Sequence, residues 1–171
     1  MNLYIIRHAI AVEPGTPGYE DDSLRPLTPK GSEKMTNIAR GLKSLGVCFD
    51  LILSSPYVRA LETAHILLKI LKMKKEQLVT TEHLTPLSLP DEVIGEINEK
   101  YYDVESIALV GHEPNLSALI GLLVAGDAGL SIEMRKGGVC FLSAENLRHE
   151  RRATLEWLMM PKHLVALGER E

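Results

Sequence analysis

Cysteine is scarce in this chain of 171 residues, which holds only Cys48 and Cys140, far apart and each within an apolar segment. Two such residues do not make a disulfide framework. Neither has a neighbouring activating group in the sequence, so we interpret both as buried hydrophobic residues rather than nucleophiles. The scarcity favours a reducing, cytoplasmic location.

Long apolar runs and excess positive charge are also missing. No run approaches the roughly 18 residues that a membrane span needs, and the first predicted strand begins at Leu3 with no room for a signal peptide, so we expect no membrane association. The net charge is −4 and the pI about 5.9, whereas general electrostatic binding of nucleic acid requires a basic chain. Any anion site must therefore be local.

What is present is an alternation of short apolar runs and helical periods, with 45% hydrophobic and 25% charged residues. Continuous apolar runs that alternate with helices predict an open α/β domain of three layers, αβα, with a mainly parallel sheet and an antiparallel edge. We expect a single domain over 1–171, with its core at about 1–164 and a weakly determined tail. The predicted strands are 3–6, 51–53, 77–81, 107–110, 139–142 and 154–159, and helices begin at Thr28-Pro29, Ser55-Pro56, Pro90 and Pro114.

Two histidines follow buried strands directly: His8 comes after Arg7, and His112 after Gly111. Arg59 lies near the start of the second helix. Because the carboxyl ends of parallel strands meet at one edge of the sheet, we expect these side chains to converge. Arginine forks and helix N-termini suit a compact dianion, which predicts a phosphoryl site.

His8 is the candidate nucleophile of that site. Adjacent cations disfavour an imidazolium ion, so the ring is expected to stay neutral near pH 7 and to keep a lone pair for attack on phosphorus. The product would be a phosphohistidine, with Arg7, Arg59 and His112 holding the phosphoryl oxygens and water releasing phosphate.

Four stretches in this order resemble the histidine phosphatase superfamily: residues 4–9 (YIIRHA), 25–31 (RPLTPKG), 54–64 (SSPYVRALETA) and 110–114 (VGHEP). The short chain and the stretches 84–86 (LTP) and 135–138 (RKGG) are similar to its small bacterial branch, the SixA-type phosphohistidine phosphatases. The resemblance implies a phosphoglycerate mutase-like fold and no metal or organic cofactor. It also implies that His8 is phosphorylated, that Arg7 and Arg59 bind the phosphoryl group, that His112 is the second pocket histidine, and that Arg25 lies near the pocket mouth.

The chain departs from the superfamily pattern at Pro86. Larger members of the superfamily carry there a glutamate that protonates a leaving alcohol. Asp91 and Glu92 lie further on, and we interpret them as surface or helix-capping carboxylates. A phosphohistidine leaves as neutral imidazole when its other ring nitrogen is protonated, whereas an alkoxide needs a general acid. The missing glutamate thus agrees with the SixA-type resemblance.

The resulting hypothesis is a cytoplasmic, monomeric phosphohistidine phosphatase that acts on a phosphorylated histidine-containing phosphotransfer domain or phosphocarrier protein. Two alternatives stay open. One is a phosphatase for a small phosphomonoester such as a sugar phosphate, with His112 or an approaching carboxylate as the acid, and the other is a non-catalytic module that binds phosphorylated partners. A metal site is not indicated, because the remaining histidines are scattered at His65, His83, His149 and His163.

Overall fold

The structure is a computed structural model, and it describes residues 1–145, 147 and 153–169. Within these residues one sheet of six strands runs in the order β3-β2-β4-β1-β5-β6. The first four strands of that order are parallel, whereas β5 and β6 are antiparallel to their neighbours. The strands are β1 (Asn2–Arg7), β2 (Leu51–Ser54), β3 (Leu78–Thr80), β4 (Ser106–Gly111), β5 (Val139–Ser143) and β6 (Thr154–Met159).

Helices cover both faces of this sheet. One core cluster joins β1, β2 and β4 to the buried sides of α1, α2 and α5, and the other joins the opposite face of the sheet to α3 and α4. The expected three-layer α/β fold with an antiparallel edge is therefore confirmed. The helices are α1 (Pro29–Ser44), α2 (Val58–Ile70), α3 (Pro90–Lys100), α4 (Asn115–Ala125) and α5 (Pro161–Gly168). None of the described helices is long and apolar enough to cross a membrane.

The start of α1 follows from local sequence. The Thr28 hydroxyl accepts a hydrogen bond from the Gly31 amide at 3.0 Å, and Pro29 fills the first helical position, where a missing N–H costs nothing. Past the last turn, Gly46 adopts a φ of 74°, in the left-handed region that glycine enters without strain. The predicted start of this helix at Thr28-Pro29 is confirmed.

The start of α2 was predicted differently. Ser55-Pro56 was expected to cap the helix, but α2 begins at Val58, and its N-cap residue Tyr57 makes no side-chain capping bond. The Ser55 hydroxyl lies 2.9 Å from Nε2 of His112 and accepts a hydrogen bond from the Tyr57 amide at 3.3 Å, just before the helix. The capping prediction was wrong because α2 begins three residues after Ser55, so this hydroxyl pairs with an amide of the preceding turn and with the buried ring nitrogen rather than with an amide of the helix.

Two further expectations need correction. The weakly determined tail is ordered through Gly168, because α5 packs against α1 and buries Leu164. Eight residues are too few to show a helical period that stands out in sequence, and such a helix is stabilised by packing rather than by propensity. Cys48 is exposed, whereas Cys140 is buried as expected, and burial raises the pKa of the Cys140 thiol to about 12.

Close packing of α1 on α5 leads to a test of stability. A methyl group at Gly41 would overlap the carbonyl oxygen of Leu164 in α5. We expect Gly41→Ala to lower the free energy of unfolding by about 1–3 kcal/mol, the usual range for overpacking. Urea denaturation measures it. Gly95→Ala is the matched control, because a methyl group in the middle of α3 meets nothing within 4 Å and exchange of helical glycine for alanine stabilises by up to about 1 kcal/mol. Equal stability of Gly41→Ala and the wild type would contradict the packing of α5.

Candidate active site

A cleft of about 310 Å³ opens at the carboxyl ends of β1 and β4, beside the start of α2. It brings together all five predicted site residues: Arg7, His8, Arg25, Arg59 and His112. The convergence follows from strand register, because Arg7 pairs with Gly111 in the parallel ladder and the two histidines are therefore the next residues on adjacent strands. Their ring centroids are 4.9 Å apart. The remaining lining residues are Glu13, Pro14, Asp22, Pro86, Glu113 and Lys136.

His8 is held in one tautomer by its own backbone. Its Nδ1 lies 2.7 Å from the carbonyl oxygen of Ala9, and since a carbonyl only accepts, Nδ1 carries the proton. Nε2 is left with a lone pair, towards which the Nε of Arg59 donates at 3.2 Å. The side chain is thus fixed with an unprotonated nitrogen in the cleft, as a nucleophile requires.

The pKa of His8 is lowered from 6.5 to about 3. Burial is the largest cause; the hydrogen bond to Ala9 works in the opposite direction, and the charges of Arg59, Arg7 and Lys136 lower the pKa further. A neutral ring was expected from the cations alone, but removal of the ring from water contributes more.

A pH titration tests this protonation state. We expect the imidazole resonances of His8 to stay constant between pH 8 and about 4.5. Because the folded pKa lies below the unfolded value, the unfolded chain binds more protons in this window, and the free energy of unfolding falls as the pH falls from about 7. NMR measures the first effect and urea denaturation at several pH values the second. A His8 transition near pH 6.5 would contradict the prediction.

Arg59 is the central cation of the cleft. It is the second residue of α2 and only 3% exposed. Its Nη2 donates to Oδ2 of Asp22 at 2.8 Å and its Nη1 to the Asp22 carbonyl at 2.6 Å. One turn later, the Thr63 hydroxyl donates to the Arg59 carbonyl at 2.7 Å and accepts from the Ala9 amide at 3.1 Å, which ties α2 to the chain beside His8. The guanidinium therefore has one rigid position.

His112 lines the cleft beside His8, and its Nε2 is engaged by Ser55. The other ring nitrogen, Nδ1, is buried and has no hydrogen-bond partner within the described part of the chain. The pKa of His112 is lowered to about 2, by burial first and then by His8 and Arg59. A neutral His112 can hold an oxygen of a bound group through an N–H, but it does not add positive charge.

The other two arginines differ in how far they are already engaged. Nη1 of Arg7 donates to the Met134 carbonyl at 2.6 Å, while its buried Nε has no partner among the described residues. Arg25 is also buried, and both its Nε and its Nη2 donate to Oδ1 of Asp22, at 2.8 and 2.6 Å. Its Nη1 donates to the Val12 carbonyl. Arg7 thus has a donor to spare, whereas Arg25 is occupied.

Sequence reasoning missed Asp22, Glu13, Glu113 and Lys136 as lining residues. Asp22 had one usable signal, since it precedes Arg25 by three residues, a spacing at which the two pair within a helical turn. Asp91 and Glu92 do not line the cleft: Asp91 is exposed, and Glu92 accepts from the Leu89 amide at 2.9 Å as a helix-capping carboxylate.

The long loop from Ala9 to Leu27 has a defined course. Ala11 and Leu27 form an antiparallel bridge, and the Leu27 amide donates to Oε2 of Glu62 in α2 at 2.6 Å. The loop contains a short 3₁₀ helix, Asp22–Leu24, which brings Asp22 to the cleft. Within the described ranges no three His, Cys, Asp or Glu side chains are grouped to hold a metal ion, and His149 lies outside those ranges.

Comparison with known proteins agrees with this geometry. The sequence pattern of the histidine phosphatase superfamily (branch 1) matches residues 3–87, which include Arg7, His8, Arg25 and Arg59. The chain belongs to the histidine phosphatase superfamily. An uncharacterized protein of Picosynechococcus sp. is 30% identical over 96% of this chain and 99% of its own length. The mitochondrial serine/threonine-protein phosphatase Pgam5 of Drosophila ananassae is 32% identical over 48% of this chain and 27% of its own length.

Solved structures of superfamily members have the same fold. The protein histidine phosphatase SixA, complexed with tungstate, superposes with a TM-score of 0.83 and 24% identity, covering 96% of this chain and 99% of SixA. The alpha-ribazole phosphatase of Shigella flexneri superposes with a TM-score of 0.69 and 21% identity over 94% of this chain and 97% of its own. Superfamily membership supports phosphatase activity, and superposition on a phosphoglycerate mutase of Bacillus anthracis, with a TM-score of 0.64 and 19% identity over 99% of this chain and 96% of its own, shows the phosphoglycerate mutase-like fold.

Proposed function

We propose that this phosphatase removes the phosphoryl group from a histidine of a signalling phosphotransfer protein, through a phosphohistidine intermediate on His8. The observation that carries the proposal is the state of His8: Nδ1 is protonated and held by the Ala9 carbonyl, so Nε2 keeps its lone pair in the cleft, where the Nε of Arg59 faces it at 3.2 Å. In the first step Nε2 bonds to phosphorus as the P–N bond of the substrate breaks, and its imidazole departs with the electron pair. In the second step water attacks phosphorus, the bond to Nε2 breaks, and phosphate is released.

The leaving group is inferred from the carboxylates of the cleft. Pro86 lines the cleft where larger superfamily members carry their acid. Hydrogen bonds from Arg25 and Arg59 outweigh the effect of burial and hold the pKa of the Asp22 carboxyl below its ordinary value, so Asp22 is ionised and cannot donate a proton. A leaving imidazole that already carries a proton on its far nitrogen needs no such donor. The absence of an acid at Pro86 and the ionised state of Asp22 therefore favour a phosphohistidine over an alkyl phosphate.

A protein substrate is supported by the surface around the cleft. A neighbouring cleft of about 240 Å³ is lined by Lys34, Arg135 and Lys162, and Arg135 directly precedes Lys136, which lines the active-site cleft. A patch of cations beside the phosphoryl site suits an acidic surface on the phosphorylated partner, because complementary charge speeds and orients docking. A histidine-containing phosphotransfer domain or phosphocarrier protein is the partner we propose.

A small phosphomonoester is the second candidate, and Glu113 is the observation that favours it. This carboxylate lines the cleft directly after His112, and among the described residues only one of its oxygens, Oε1, has a hydrogen-bond partner, the Ser117 amide at 3.1 Å. A glutamate in that position has the chemistry to protonate a leaving alcohol.

One kinetic comparison separates the two candidates. We expect kcat/KM to be higher for a phosphorylated phosphotransfer domain than for p-nitrophenyl phosphate or a sugar phosphate. We also expect Glu113→Gln to leave turnover of the phosphoprotein intact, because its leaving group needs no acid. A higher kcat/KM for the sugar phosphate, together with loss of that activity in Glu113→Gln, would replace the proposal by the second candidate. Rapid-quench labelling that finds no phosphoenzyme, and no turnover of any substrate, would favour a binding module.

A further inference from the structure

Two atoms share one edge of the Arg59 guanidinium. Nε and Nη2 form the two-donor edge that pairs with two oxygens of a phosphate or carboxylate. Here Nε faces Nε2 of His8 at 3.2 Å, and Nη2 faces Oδ2 of Asp22 at 2.8 Å. A phosphoryl group bonded to Nε2 of His8 would direct an oxygen to this same edge. The Asp22 carboxylate therefore occupies a donor that a phosphoryl oxygen needs.

We propose that Asp22 competes with the phosphoryl group for Arg59 and thereby sets how tightly the site holds phosphate. The inference rests on the proposed phosphoryl chemistry at His8, but it does not depend on which phosphorylated substrate is used. Binding replaces the contact between Oδ2 and Nη2 by a contact between a phosphoryl oxygen and Nη2, so part of the binding free energy is spent on breaking an existing ion pair.

The local structure allows the carboxylate to leave without moving the arginine. The Asp22 side chain is 52% exposed, whereas that of Arg59 is 3% exposed. Arg59 also donates from Nη1 to the Asp22 backbone carbonyl at 2.6 Å, and Arg25 holds Oδ1 of the carboxylate through two N–H groups. Movement of Oδ2 away from Arg59 therefore frees Nη2. Oδ1 can stay on Arg25 during this movement, and the backbone carbonyl of Asp22 stays bound to Nη1 of Arg59.

The positive charge of the cleft indicates what this competition does for the reaction. Arg7, Arg25 and Arg59 line a small cleft in which Lys136 is paired with Glu13 at 3.6 Å, and three arginines would retain the dianionic product strongly. An ionised carboxylate among them reduces the attraction for free phosphate and returns to Arg59 as phosphate departs. Asp22 thus favours product release.

The neighbouring Asp21 provides a matched control. Asp21 lies in the same turn, where its Oδ1 accepts from the amide of Ser23 at 2.9 Å and from the Ser23 hydroxyl at 2.7 Å, rather than from Arg59. Asp21→Asn and Asp22→Asn change the net charge equally. We expect Asp22→Asn to bind inorganic phosphate roughly tenfold more tightly than the wild type, because one charge-assisted hydrogen bond no longer has to be given up. Asp21→Asn should bind phosphate as the wild type does.

Calorimetry at pH 7.5 and competitive inhibition of p-nitrophenyl phosphate turnover measure this affinity. Asp22→Glu, which keeps the carboxylate, serves as a second variant and should retain weak phosphate binding. Unchanged or weaker phosphate binding in Asp22→Asn would overturn the inference and make Asp22 a positioning residue for Arg59. An equal gain in Asp21→Asn would reduce the effect to net charge. Because phosphate is the probe, these results stand even if phosphohistidine proves not to be the substrate.

Discussion

His8→Ala is expected to abolish both the phosphoenzyme and turnover. The substitution removes the nitrogen that Ala9 orients and that Arg59 faces, and nothing else in the described cleft offers a free lone pair at that position. We expect kcat to fall by roughly 10⁴- to 10⁶-fold, the range that follows loss of the nucleophile in a covalent mechanism. The measurements are steady-state hydrolysis of p-nitrophenyl phosphate and rapid-quench trapping of ³²P-labelled enzyme.

His65→Ala is the control for this experiment. His65 lies exposed on α2, so its loss should change neither rate nor labelling. Binding of inorganic phosphate by His8→Ala separates chemistry from folding, because Arg7, Arg59 and His112 remain in place. Residual turnover within tenfold of the wild type, in a variant that still binds phosphate, would remove His8 from the role of nucleophile.

Arg59→Lys carries the second largest expected effect. Lysine keeps the charge but loses the planar fork, and a single ammonium cannot reproduce the guanidinium contacts with His8 and Asp22. We expect kcat/KM for p-nitrophenyl phosphate to fall by roughly 10²- to 10³-fold, the usual result of removing a transition-state donor. Most of the loss should lie in kcat, because charge increases on the phosphoryl oxygens and on the leaving group during transfer.

Arg40→Lys is the matched control, since Arg40 lies exposed on α1, where it donates a hydrogen bond to Asn37 at 3.2 Å. Its kcat and kcat/KM for p-nitrophenyl phosphate should equal those of the wild type. If Arg59→Lys retained full kcat and changed only the stability of the fold, Arg59 would serve the structure of the loop at Asp22 rather than the reaction.

Much of the fold was predictable because its cues are local. The run 3–6 is buried on both sides, as its continuous apolar sequence indicates, and Thr28-Pro29 begins a helix through one hydroxyl and one ring. The α5 helix was not predictable in this way. This helix is stabilised by close packing on α1, where Gly41 of α1 faces α5 and Gly168 of α5 faces α1. The two glycines are separated by most of the chain, so no local pattern indicates their contact.

The candidate site was likewise predictable only in part. The sequence placed His8 and His112 at the ends of predicted parallel strands, and register in the β1–β4 ladder then makes them neighbours. The role of Ser55 was missed because its partner, His112, lies 57 positions along the chain. Asp22 was missed because a loop without periodicity does not indicate which of its carboxylates faces the cleft.

By itself, the sequence determined the order of the strands and of the first four helices, the superfamily, and the residue types that surround the phosphoryl site, because these depend on local patterning and on chemistry at strand ends. Only the tertiary structure decided the state of those residues. Burial lowers the pKa of His8 and His112, the Ala9 carbonyl selects the tautomer of His8, and Asp22 comes to rest on Arg59. Each of these depends on desolvation or on a contact at a distance of a few ångströms, which exists only once the chain has folded.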